Sequence, residues 1–124
     1  PAYATAVGKV LLAYDSAAAE QVMGESLVSF TARTICSADK LAVELDRIRH
    51  TGVAFDDGEY EPGLVCVAAP VLDRSGLPVA ALSVAGRRGR TDTRRLSAEV
   101  RQIAAAASRA WPVRARELRA VRGV

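Results

Sequence analysis

Asparagine is absent from this 124-residue sequence, and histidine, methionine and tryptophan occur once each. Without asparagine there is no N-glycosylation acceptor. One histidine and no Cys-x-x-Cys pair leave no familiar zinc ligand set, so neither a metal nor any other cofactor is expected. The two cysteines, Cys36 and Cys66, are too few for a disulfide framework and suit a reducing compartment. No run approaches the ~20 apolar residues of a membrane span. The first residues also lack the basic region and apolar run of a secretory signal. The cytoplasm is therefore the expected location, with no membrane as partner.

What is present is half hydrophobic and a quarter charged, too apolar for a disordered chain and long enough for one compact domain. The net charge of +3 is unevenly spread. Residues 1–86 carry six Lys and Arg against eleven Asp and Glu, whereas residues 87–124 carry eleven Arg against three acids. A basic end can address nucleic acid or an acidic partner, and it can equally be a solvated helix face.

The pattern predicts four helices and three strands. Residues 5–14 read as a helix capped by Thr5, with Val7, Leu11 and Tyr14 on one face. Ser16 is placed to cap a second helix over 17–24, ended by Gly24, and 30–36 reads as a loop or a short extended piece. Leu41, Leu45 and Ile48 follow Ser37 at helical spacing, with Asp39 in the first turn, Arg49 and His50 in the last, and Gly52 as the stop. Val53–Asp56 reads as a strand. Gly63–Val71 and Pro78–Gly86 read as a hairpin around Asp73–Gly76. Leu96, Val100, Ile103, Ala107 and Trp111 mark a long amphipathic helix that Pro112 ends or kinks. Trp111 fits an intersubunit contact and packing against its own core equally well.

If Leu72 opposes Leu77 in the hairpin, Cys66 faces Ser83, and Leu64, Ala68, Ala81 and Ala85 share their side of the sheet. Side chains that small leave room for a cavity. Other motifs fall away. Gly8-Lys9 lacks the glycine and hydroxyl of a phosphate loop, and Gly86-Arg-Arg-Gly89 lacks dinucleotide spacing. Cys66 has only His50 as a potential base, so no catalytic residue is expected. The acidic stretch Asp56–Glu61 reads either as a solvated loop or as a site in which Asp56 turns toward a pocket while the other carboxylates face water.

Taken in order, Ala4–Lys9, Thr34-Ile35, Leu45–Ala54, Asp57-Gly58-Glu59, Gly63–Pro70 and Ala81–Gly86 resemble the C-terminal effector-binding domain of the IclR family of bacterial transcriptional regulators, over about residues 1–111. The resemblance implies an α+β fold of GAF-like type, an antiparallel sheet flanked by helices with a small-molecule pocket between sheet and helical layer. It implies a sensor of a small organic or aromatic acid, assembled as a dimer or tetramer, in a parent that binds DNA through an N-terminal winged helix-turn-helix. No such segment is present here, and the chain looks like a fragment that begins after the family's first strands. Residues 112–124 would be a basic C-terminal extension.

The ligand contacts implied by the resemblance fall on Ala6, Val7, Gly8, Asp56, Leu64, Cys66 and Ser83. Free N–H groups at the helix start suit a carboxylate, Asp56 and Ser83 suit a hydroxyl or hydrated carbonyl, and Cys66 forms a soft wall. Some family members have a second serine where this chain has Ala85, which implies a larger or less polar acid than glyoxylate. Two other readings stay open, an oligomerisation module without ligand and a small cysteine-dependent enzyme.

Overall fold

The computed structural model describes the backbone of residues 1–122 and the side chains of residues 1–111. A 3-10 turn at Ala2–Ala4 leads into α1 (Ala6–Ala13), α2 (Ser16–Met23), α3 (Ala38–Thr51), β1 (Ala54–Asp57), β2 (Leu64–Leu72), β3 (Pro78–Arg87) and α4 (Thr93–Arg122). The three strands form one antiparallel sheet in the order β1-β2-β3. The fold is α+β.

Local chemistry accounts for most element boundaries. Thr5 Oγ1 accepts the Gly8 N–H at 3.1 Å, and the Ser37 side chain accepts from the Lys40 N–H. At the far end of α3, Gly52 takes the left-handed conformation, φ 77°, that glycine adopts without a Cβ penalty. The second helix begins one residue earlier than predicted. Its cap is Asp15, whose Oδ1 accepts the Ala18 N–H at 3.1 Å, and Ser16 is the first helical residue.

Helices cover both faces of the sheet. On one side α1 and α3 meet Ala54, Cys66, Ala68 and Ala81, with Leu41, Leu45 and Ile48 of α3 fully buried. On the other, Val100 and Ala104 of α4 pack with Val53, Val67, Ala69 and Val71. Small residues on the first face let α1 lie close to the strands. The face of α1 turned inward is Ala6, Lys9, Val10, Leu12 and Ala13, whereas Leu11 of the predicted stripe is exposed. Among the described residues no helix is long and apolar enough to cross a membrane.

Two expectations for the C-terminal half need correction. The strand register of the hairpin differs by two residues: a bulge at Val71/Leu72 sets Leu72 against Pro78, Ser83 against Ala68 and Cys66 against Ala85. The cause lies in the loop, where Asp73 Oδ1 accepts from the N–H groups of Ser75 and Leu77 while the Asp73 N–H donates to Leu77 O at 2.9 Å. A shift of two preserves the side of the sheet, so Cys66 and Ser83 still share a face. In α4 the inward stripe is Leu96, Val100, Ala104 and Ser108. Ile103 is 58% and Trp111 41% exposed, so Trp111 is not a core residue of this domain. The helix also runs through Pro112 to Arg122 instead of ending there. The basic side chains of the predicted extension at 112–124 lie outside the described residues.

Candidate functional site

Register places Asp56, Cys66 and Ala85 in one row across the sheet. Ala54, Ala68 and Ser83 form the next row, and Leu64 pairs with Arg87 on the other side of the first. Strand alternation turns all of these toward the face that carries α1. Ala6, Val7 and Gly8 form the first turn of that helix, so the seven predicted contact residues divide between the start of α1 and the sheet face that carries it. Ala6 and Gly8 are buried, Val7, Leu64 and Cys66 are half-buried, and Ser83 and Ala85 are exposed. The site is thus closed toward β1 and open along β3.

At the start of α1 the Gly8 N–H is committed to Thr5 Oγ1, and the N–H groups of Ala6 and Val7 find no acceptor among the described residues. Two backbone donors without acceptors at the positive end of a helix are an arrangement suited to an anion. Gly8 has a steric role here, because a Cβ at this position would collide with the backbone of Ala2. Gly8→Ala is expected to cost about 1–3 kcal/mol by forcing the 3-10 turn away from α1. A urea melt showing less than about 0.5 kcal/mol of destabilisation would contradict this close approach.

The Asp56 carboxylate is buried, and its Oδ1 accepts the Glu59 N–H at 2.8 Å. Its Oδ2 makes no hydrogen bond among the described residues. Burial pushes the Asp56 carboxyl above its ordinary range, while the Glu59 N–H and the Lys9 ammonium pull it back. Burial also pushes the Cys66 thiol up; the facing Asp56 charge adds to this and the Ser83 hydroxyl opposes it. A thiol held protonated is a poor nucleophile. The sole histidine, His50, sits exposed in the last turn of α3 with Nδ1 against Asp46 O.

The carboxylates beyond Asp56 do not all face water. Glu59 is buried and binds the Lys9 ammonium through Oε1 at 2.9 Å and Oε2 at 3.1 Å. Lys9 Nζ also donates to Phe55 O at 2.6 Å and lies 3.5 Å from Glu44 Oε1. Around this pair the loop residues close in: Thr31 Oγ1 donates to Gly58 O and Thr34 Oγ1 to Glu59 O. An open cleft of about 320 Å³ runs past Lys9, Arg33, Glu44, Arg47, Asp57 and Glu59. Its arginines are matched to acids, Arg33 to Asp57 and Arg47 to Glu44. No local pattern links Lys9 to a partner fifty residues away, and a single lysine between Gly8 and Val10 gives no hint of burial. Among the described residues no group of three His, Cys, Asp or Glu side chains is placed to hold a metal ion.

A family model for the C-terminal domain of the bacterial transcriptional regulator IclR matches residues 1–110. The HTH-type transcriptional regulator KdgR of Escherichia coli K12 is 44% identical over 86 residues, 68% of this chain and 33% of KdgR. The solved C-terminal domain of E. coli KdgR superposes with a TM-score of 0.74 at 40% identity, covering 88% of this chain and 67% of that one. A double mutant of the PobR inducer-binding domain from Acinetobacter, solved with 3-hydroxybenzoic acid, superposes at 0.77 with 29% identity, covering 87% and 65%. This chain spans about a third of the length of the first curated relatives it matches, which are named as regulators and not as enzymes. From fold, sheet register and these likenesses, the chain belongs to the IclR family of bacterial transcriptional regulators, as its C-terminal domain.

Proposed function

We propose that this domain senses a small organic or aromatic acid and passes its occupancy to DNA binding by the longer regulator. The observation that carries the reading is the pair of free N–H groups at Ala6 and Val7 beside a sheet face that presents Asp56 and Cys66 in one row and Ser83 in the next. The carboxylate sits at the helix start, Asp56 and Ser83 hold a polar group at the other end, and Leu64 and Cys66 line the walls. The ligand biases the protein only by binding one arrangement better; a tenfold preference supplies about 1.4 kcal/mol. The exposed Trp111 on α4 suits a homo-oligomer, dimer or tetramer, through which that bias acts. DNA contact belongs to a separate winged helix-turn-helix segment, and a regulator of this kind works in the cytoplasm.

A thermal-shift screen against carboxylic and aromatic acids, with 3-hydroxybenzoate included, tests the proposal. Ligand at a hundred times its dissociation constant adds about 2.7 kcal/mol, roughly ten degrees for a domain of this size. Ser83→Leu fills the open side of the site at an exposed position, so the fold should persist while the shift disappears. A normal ligand-induced shift in Ser83→Leu places the site elsewhere. A flat screen on folded wild-type chain favours an oligomerisation module instead.

A further inference from the structure

Arg87 is the last residue of β3 and stands opposite Leu64. Alternation along β3 puts it on the same face as Ser83 and Ala85, the face that carries α1. Its neighbour Arg88 is consumed by the fold, paired with Asp57 Oδ1 at 2.6 Å and donating to Asp57 O. Arg87 is exposed and has no acidic partner among the described residues. An unpaired guanidinium thus lies at the open edge of the candidate effector site.

The direction of α1 brings its positive end toward this arginine. Arg49, near the end of α3, donates to Ala13 O at the C-terminal end of α1. From Gly52 the chain enters the Ala54 end of β1, so that end of the sheet lies under the C-terminus of α1. The N-terminus at Ala6 points to the opposite end, where Asp57, Leu64 and Arg87 stand. Lys9 reaching Glu59, just beyond Asp57, agrees with this direction. Between Arg87 and Ser83 stands only Ala85, about 7 Å along the strand from Arg87. A methyl side chain there leaves the guanidinium free to fold back over the Cys66 row.

We infer that Arg87 is a second anion-binding and specificity-determining residue of the effector site, and that the preferred ligand is a dicarboxylate. This rests on the sensor reading above. One carboxylate takes the Ala6 and Val7 N–H groups, and the other accepts the paired N–H donors of the Arg87 fork. A monocarboxylate of the same skeleton satisfies only the first.

Calorimetric titration of the 124-residue chain with skeleton-matched pairs, butyrate against glutarate and benzoate against isophthalate, provides the test. In at least one pair the diacid should bind about ten- to a hundredfold more tightly, the range for charge-assisted hydrogen bonds. Arg87→Ala should erase that preference and leave monoacid affinity unchanged, and Arg87→Lys, which keeps charge without the fork, should fall between. Monoacid and diacid binding equally to the wild type, or an undiminished preference in Arg87→Ala, overturns the dicarboxylate inference alone. If none of the four acids binds while another acid of the screen does, the inference likewise falls and the sensor reading stands. Failure of every acid to bind folded protein overturns both.

Discussion

Lys9→Met should destabilise the domain by about 3–5 kcal/mol, the scale for removing one partner of a buried ion pair. Lys9 is 1% exposed, and its ammonium holds Glu59, the Phe55 carbonyl and Glu44 together. Methionine fills much the same volume, so the loss comes from stranding the Glu59 carboxylate. That carboxylate also accepts the Asp57 N–H, so the whole β1–β2 loop depends on the pair. The effect should vary with pH. Burial already pushes the Glu59 carboxyl up, and Lys9 pulls it down. Without Lys9 its folded-state pKa rises further above the unfolded value. A carboxyl raised on folding favours the fold most below its unfolded pKa, and that advantage is lost as pH rises through the folded pKa. The Lys9→Met deficit should therefore be smaller at pH 5 than at pH 7.5 in urea melts. Adding Glu59→Gln should recover much of it at pH 7.5. A deficit independent of pH, or no recovery in the double variant, would mean that the pair is not the source of the stability.

The parts of this fold legible in the sequence are those decided within a few residues. Thr5, Ser37 and Gly52 act through hydrogen bonds and backbone preference inside one helical turn, and each stands where its chemistry predicts. The Leu41–Leu45–Ile48 stripe was equally plain, since α3 has one polar and one apolar side. Where every side is apolar or small, periodicity loses its power. In α4, Ile103 and Ala104 are both acceptable core residues, and the sheet selects Ala104 because its small side chain permits close approach. In α1 the inward face includes Lys9, which becomes a core residue only because Glu59 and the Phe55 carbonyl meet it there. The hairpin shows a similar limit. Loop chemistry at Asp73 moved the register by two, which changed the partners of Cys66 and Ser83 but not the side of the sheet they occupy.

The candidate site divides in the same way. Its residue types and their common face follow from strand alternation and from the family resemblance. The state of Asp56 does not, because one of its oxygens is bound by the Glu59 N–H in a turn that only the folded loop creates. The role assigned to Arg87 likewise depends on the observed register and on Asp57 having been taken by Arg88.

Leu45→Ala should cost about 2–5 kcal/mol, toward the upper end of that range, out of a total of about 5–15 kcal/mol expected for a domain of this size. Leu45 is 1% exposed and sits in the middle of the one apolar stripe of α3, between Leu41 and Ile48. The cost of such a truncation depends on how far neighbours can collapse into the space. Here the cluster around it is rich in alanine, with Ala4, Ala6, Ala13, Ala54 and Ala68 buried alongside, and an alanine has no rotamer with which to fill a hole. Collapse would require α3 or α1 to move as a body, and α1 is already held by Lys9 at Glu59 and by Arg49 at Ala13 O. The cavity should therefore persist. Ile103→Ala provides the contrast, because that isomeric side chain lies 58% exposed on α4 and its loss should change stability by no more than about 0.5 kcal/mol. Equal effects of the two substitutions in urea melts would show that the α1–α3 layer does not carry the core. A cost near 4 kcal/mol for Leu45 beside almost none for Ile103 would fix that layer as the stabilising half of the domain, and with it the surface on which the start of α1 is held against the sheet.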